Sequence, residues 1–174
     1  MRIPIAAAAA ATLLVSGAVI AAGSATANAA PTRGQTAATA GIEVWENVHT
    51  GLCIDDSATY GLRTTTCTPG DTNTHQQWTY TTIYAHTEIL KNVNTGLCID
   101  DSDAYGLRTT TCTPGNSNEH QWFYQNGTTD PRGDFYTFQD QYTYRCWDDS
   151  ATYGLRDTTC TDPATNDHQM WEIH

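Results

Sequence analysis

The sequence predicts an all-β domain of pseudo-threefold symmetry, and three observations lead there. One segment is written three times: CIDDSATYGLRTTTC from Cys53 to Cys67, a near copy from Cys98 to Cys112, and a third from Cys146 to Cys160. A His-Gln pair and a tryptophan follow each copy: His75, Gln76 and Trp78; His120, Gln121 and Trp122; His168, Gln169 and Trp171. A period of about 45 residues marks an architecture of stacked or symmetry-related units. Second, nothing past the first thirty residues keeps an apolar i, i+3, i+4, i+7 pattern over three turns. Third, short runs rich in Thr, Tyr, Ile, Leu and Trp alternate with clusters of Gly, Asn, Asp, Pro and Ser, the pattern of short strands joined by turns.

Residues 1–29 read as a secretory leader: Arg2 supplies a positive start, Ile5 to Ala22 is an alanine-rich apolar run, and Ala27-Asn28-Ala29 fits a cleavage site. Residues 30–41 (APTRGQTAATAG) are small, polar and without period, and are expected to form a flexible tail. The domain proper is then 42–174, with repeats of about 42–86, 87–132 and 133–174. In the first copy, strands are expected near Glu43–Val48, Leu52–Asp55, Leu62–Thr66 and Gln76–Tyr80. They are separated by turns at Thr50-Gly51, Ser57 to Gly61 and Thr68 to Asp71. Four strands per repeat make about twelve, and closing such a sheet hides edges that an open array would expose.

The expected core repeats as well: Leu52, Ile54, Leu62 and Trp78, then Leu97, Ile99, Leu107 and Trp122. The third copy keeps Leu155 and Trp171 but carries Arg145 and Trp147 at the other two positions. Six cysteines in a chain with a leader suggest disulfides. The symmetric pairing joins Cys53 to Cys67, Cys98 to Cys112 and Cys146 to Cys160. Each bridge closes a loop of about fifteen residues and contributes on the order of 3 kcal/mol in the chain-entropy picture. Zinc is disfavoured, since the gaps are long and no C-x-x-C is present.

The formal charge is -11, and loss of the leader removes only a positive group. That balance argues against nucleic acid and against anionic membranes, both of which select basic patches. No further segment is apolar enough to span a bilayer. Neither a metal nor an organic cofactor is called for, because Asp100 to Asp103 lacks the spacing and closing glutamate of a calcium loop. Oligomeric state is not legible.

A Cys-h-Asp segment, a second cysteine and a Gln shortly followed by tryptophan, three times over the chain, resembles the ricin-type β-trefoil lectins, most closely the small secreted actinobacterial kind. The resemblance implies a β-trefoil and non-catalytic carbohydrate binding in up to three shallow pockets. It also implies which residues bind. The family carboxylate, two residues past the first cysteine, falls on Asp55, Asp100 and Asp148. A second polar contact, just before the Gln, falls on His75 and His168. Where the family carries an aromatic platform before the second cysteine, this chain has only threonines; Tyr60, Tyr105 and Tyr153 are the candidate substitutes.

A carboxylate can accept from two vicinal hydroxyls, an imidazole adds a directed bond, and an aromatic face covers the C–H side of a sugar. The next aspartates, Asp56, Asp101 and Asp149, read instead as turn residues, solvated or bonded to nearby backbone N–H. The tryptophans after Gln read as core, with the Gln side chains holding backbone groups. In the second copy the tryptophan comes one residue early. Strand alternation then predicts His120 inward in the place of Gln76, with Glu119 in the place of His75. Site one is the least modified.

The rival readings are a small glycosidase and a protein-binding trefoil, such as a protease inhibitor or a toxin-associated adhesin. Glycosidase chemistry needs two carboxylates flanking one bond, whereas adjacent aspartates on a strand point to opposite faces. A protein partner would use an irregular loop, such as Thr81–Thr87 or Asn126–Phe135, where Asn126-Gly127 and Asp130-Pro131 read as exposed turns.

Overall fold

The computed structural model describes residues 41–162 and 165–174, apart from the side chain of Asp130. The expected leader and almost all of the expected tail lie outside them. Thirteen strands are present among the described residues. The first repeat holds β1 (Ile42–Glu43), β2 (Trp45–Asn47), β3 (Leu52–Ser57), β4 (Gly61–Thr66) and β5 (Trp78–Tyr84). The second holds β6 (Thr87–Asn92), β7 (Cys98–Ser102), β8 (Gly106–Thr110) and β9 (Phe123–Asp130). The third holds β10 (Gly133–Asp140), β11 (Arg145–Ser150), β12 (Gly154–Thr159) and β13 (Trp171–Ile173). The thirteenth strand arises because Val44 interrupts the first expected strand.

Long strands and hairpins divide the work. The hydrogen-bonded path runs β1-β5-β6-β9-β10-β13-β2, so it ends one residue from where it began. The hairpins β3–β4, β7–β8 and β11–β12 hang from it through equivalent pairs, Glu46 with Cys53, Lys91 with Cys98 and Gln139 with Cys146. Each hairpin carries one disulfide, with Cα atoms 4.9–5.0 Å apart. This architecture is an all-β trefoil. Asn126 and Gly127 are not in a turn but inside β9, facing Thr137 and Tyr136 of β10. Gly127 lies under the Tyr136 ring, which a side chain there would meet at 3.6 Å.

Nine side chains make the core, three from each repeat: Trp45, Ile54 and Trp78; Leu90, Ile99 and Phe123; Phe138, Trp147 and Trp171. Leu62, Leu107 and Leu155 pack against them, while Leu52 and Leu97 are only half-buried. The second repeat contributes the smaller set. Trp147 takes up that space, with its ring 4.8 Å from Phe123 and stacked on Phe138 at 4.3 Å. Exchanging volume between facing repeats keeps the interior filled.

The expected register of the second repeat is corrected. Gln121 is buried and makes the contacts of Gln76 and Gln169. Each Gln accepts from the backbone N–H of Thr68, Thr113 or Thr161 and donates to a threonine hydroxyl and a backbone carbonyl beside the second cysteine. His120, not Glu119, is the counterpart of His75. Gln follows the second cysteine at the same spacing in all three copies, and the core aromatic residue stands two positions after it each time: Phe123 takes the place of Trp78 and Trp171, while Trp122, at the position of Gln77 and Met170, stays half-buried. Strand alternation does not reach these residues, because Glu119–Gln121 form a 3-10 turn ahead of β9; the Gln bracket sets the register instead.

The second aspartates are corrected too. Asp56, Asp101 and Asp149 are buried, and each accepts hydroxyls from the next repeat. Asp56 is bound by Thr95 and Thr109, Asp149 by Thr50 and Thr64, and Asp101 by Thr143. Asp101 lacks its second hydroxyl because Asp157 stands where the other copies have Thr64 and Thr109. Arg145, at the position of Leu52 and Leu97, pairs with Asp157 at 2.7 Å. These two departures of the third copy explain each other.

A third departure sits at the same junction. Asn47 and Asn92 each accept two backbone N–H groups in a turn and donate to two carbonyls of the neighbouring repeat. Asp140 holds the equivalent position. Its Oδ1 accepts from Tyr142 and Thr143, but its buried Oδ2 has no hydrogen-bond partner among the described residues. By register that oxygen replaces an amide donor to the carbonyls of His120 and Trp122, and only a protonated carboxyl can donate there.

Burial pushes Asp140 up to about 6, against its turn hydrogen bonds and helped by nearby Asp101. Burial likewise pushes Asp101 up to about 6, against the Thr143 hydroxyl and helped by Asp157.

A carboxyl with a raised folded pKa stabilises the fold while protonated. That contribution is complete below about pH 4 and is lost as the pH rises through about 6. Asp140→Asn is therefore expected to raise stability at pH 7 by on the order of 1–3 kcal/mol, with a much smaller gain at pH 4.5. Denaturant unfolding of parent and variant at both pH values checks this, and an equal gain at both would refute it. Tyr144 also sits at positive φ (58°) where the other copies have Gly51 and Gly96. Tyr144→Gly is expected to stabilise by about 1 kcal/mol, readable as a rise in melting temperature.

Candidate functional sites

Each hairpin builds the same constellation. In the first, the β3–β4 register sets Asp55 opposite Arg63, and Arg63 Nη2 lies 3.0 Å from Asp55 Oδ1. Asp100 with Arg108 and Asp148 with Arg156 repeat the pair at 3.4 and 3.1 Å. The three aspartates are buried, the arginines only half so. The guanidinium offsets the charge of a carboxylate that burial would otherwise penalise.

Each arginine also lies over a tyrosine, at 4.3, 4.2 and 4.3 Å from the rings of Tyr60, Tyr105 and Tyr153. These rings are about 70% exposed, which the hairpin turn enforces. The turn ends on Gly61, Gly106 or Gly154 at φ near +67°, and at Gly61 and Gly154 an added Cβ would meet nothing. Backbone conformation, not crowding, requires glycine there. A cation against one ring leaves a pre-positioned aromatic surface facing solvent.

The histidine comes from the segment after the second cysteine. His75, His120 and His168 each place Nδ1 2.7 Å from the backbone carbonyl of the buried second aspartate, Asp56, Asp101 or Asp149. A carbonyl only accepts, so Nδ1 carries the proton and Nε2 of the neutral ring is an acceptor. Asn73, Asn118 and Asn166 hold the histidines by accepting their backbone N–H groups.

Asp55, Tyr60, Arg63 and His75 together line an open depression of about 490 Å³, with Ser57, Thr65 and Asn94. The structure thus brings together Asp, Tyr and His in all three copies, with His120 standing where Glu119 was expected. Glu119 is an exposed neighbour. The arginines and asparagines were missed, although their threefold repetition was visible in the sequence. So arranged, each site offers guanidinium donors, a carboxylate and an imidazole acceptor beside an aromatic face.

The only candidate cation cluster among the described residues is Glu46, Cys67 and His174. Cys67 is spent in a disulfide and His174 already bonds Asp71, so no ligand set remains. No described helix is long and apolar enough to cross a membrane.

Comparison with known proteins agrees with the fold. The family model of the ricin-type beta-trefoil lectin domain matches residues 43–171. Among solved structures, the chain is similar to a designed 3-fold symmetric protein, ThreeFoil (TM-score 0.59, 14% identity, covering 76% of this chain and 96% of that one). It is also similar to the cytolethal distending toxin of Actinobacillus actinomycetemcomitans (TM-score 0.59, 20% identity, 76% and 89% covered). A third is the Polyporus squamosus lectin, solved with the epitope Neu5Aca2-6Galb1-4GlcNAc (TM-score 0.59, 12% identity, 77% and 48% covered). At these identities the structural likeness speaks for the fold alone. No curated protein matches the chain in sequence. With the family match spanning most of the chain and one trefoil built from three repeats, this chain belongs to the ricin-type β-trefoil lectin domain family.

Proposed function

We propose that this is a secreted, non-catalytic carbohydrate-binding protein whose three shallow sites act together on repeating glycans. The observation that carries the reading is the threefold Asp–Arg–Tyr–His constellation, each copy with a tyrosine about 70% exposed above an ion pair of buried aspartate and half-buried arginine. Site one comprises Asp55, Tyr60 and His75; site two Asp100, Tyr105 and His120; site three Asp148, Tyr153 and His168. A half-open site with one aromatic face and few polar groups suits a sugar ring better than a buried small molecule. Three such sites on one scaffold raise avidity without new contacts. Three disulfides fit an oxidising, extracellular setting.

Catalysis finds little support. Of each aspartate pair, the first is held by arginine and the second by threonine hydroxyls of another repeat, so the two carboxylates of a pair are committed to different contacts.

Glycan-array binding by the purified protein tests the reading, alongside Asp55→Ala, Asp100→Ala and Asp148→Ala. Each single variant is expected to lose one site and weaken binding to a glycan surface. The triple variant should lose binding by more than about a hundredfold, with circular dichroism confirming that it folds. Parent-like binding by the triple variant would refute the site assignment. Tyr60→Ala is expected to weaken site one about three- to tenfold, the worth of an aromatic contact, with no change in melting temperature.

A further inference from the structure

A side chain from the next repeat stands at each site, against the histidine at sites two and three and in the same depression as the histidine at site one, and this neighbour differs in kind from site to site. At site two the Tyr142 ring packs on His120, centroids 4.1 Å apart. At site three the His49 ring packs on His168 at 3.6 Å. At site one Asn94 lines the same depression as His75 and donates from Nδ2 to Thr74 Oγ1 at 3.0 Å.

The mount under these side chains is constant. The backbone N–H groups of His49, Asn94 and Tyr142 donate to Oδ1 of Asn47, Asn92 and Asp140 at 3.1, 3.0 and 2.9 Å. The following threonine donates its N–H to the same oxygen and anchors its hydroxyl on the buried aspartate of the site's own repeat. A variable side chain thus stands on a locked turn beside an invariant Asp–Arg–Tyr–His set.

We propose that this neighbour, supplied in rotation by the next repeat, sets the ligand preference of each site: an amide at Asn94, a second aromatic face at Tyr142 and an imidazole at His49. Resting on the carbohydrate reading above, the proposal makes the three sites unequal by design of one position. Tyr142 is half exposed and gives site two an additional surface for the C–H face of a pyranoside. Asn94 offers site one directed hydrogen bonds to a hydroxyl or acetamido group instead.

The test is an NMR titration that follows the ring signals of His75, His120 and His168 separately. The probes are methyl β-D-galactopyranoside, methyl α-D-mannopyranoside and N-acetyl-D-glucosamine. The parent is expected to rank the probes differently at the three histidines. Asn94→Tyr should bring the ranking at His75 to that at His120, and Tyr142→Asn should do the reverse, each moving affinity ratios about three- to tenfold. Both positions are exposed or half exposed, so two independent folded variants are expected. If the sites bind but share one ranking, or the exchanges leave the rankings in place, the preference proposal fails and the carbohydrate reading stands. If no histidine responds to any probe, the carbohydrate reading of these sites fails and takes the proposal with it.

Discussion

The structure depends on a buried carboxylate that each repeat sends to its neighbour. Asp56 and Asp149 are closed off from solvent, and each is bound by two hydroxyls of the following repeat in the threefold order. A buried charge left unpaired would be costly, so each repeat is competent only beside the next. The same aspartates accept, through their backbone carbonyls, the Nδ1 protons of the site histidines. Junction and site are therefore two ends of one residue, and a change in one is felt in the other.

The junction of the second and third repeats shows what happens when that contact is edited. Asp157 in place of threonine sets carboxylate near carboxylate, and Arg145 in place of leucine offsets the charge. Asp140 in place of asparagine removes a donor from a position that faces carbonyls. The threefold fold survives because the hydrophobic centre compensates separately, with Trp147 filling what Leu90 and Phe123 leave. Such a domain keeps its symmetry of architecture while its junctions and sites diverge.

The candidate sites share this logic. Their ion pairs and tyrosines are made within single hairpins, by cross-strand register and a glycine-ended turn, and so repeat faithfully. The neighbours Asn94, Tyr142 and His49 come from outside the hairpin, and so vary. A locked turn lets that variation occur without disturbing the strands on either side.

Much of this was legible in the chain itself. The repeat, the cysteine pairs, the strands around them and the first aspartate, tyrosine and most of the histidines follow from local pattern, because hairpin register and alternation act over a few residues. The register of His120 and Gln121 was not, since its anchor is the Thr113 N–H and the threonines before Cys112 rather than the aromatic residue. The fate of Asp56, Asp101 and Asp149 was not legible either. A turn aspartate and a buried clamp have the same sequence, and only a threonine some forty residues onward distinguishes them. Sequence by itself determined what each repeat makes; tertiary structure decided what the repeats make of one another, because those contacts join residues that no short-range pattern connects.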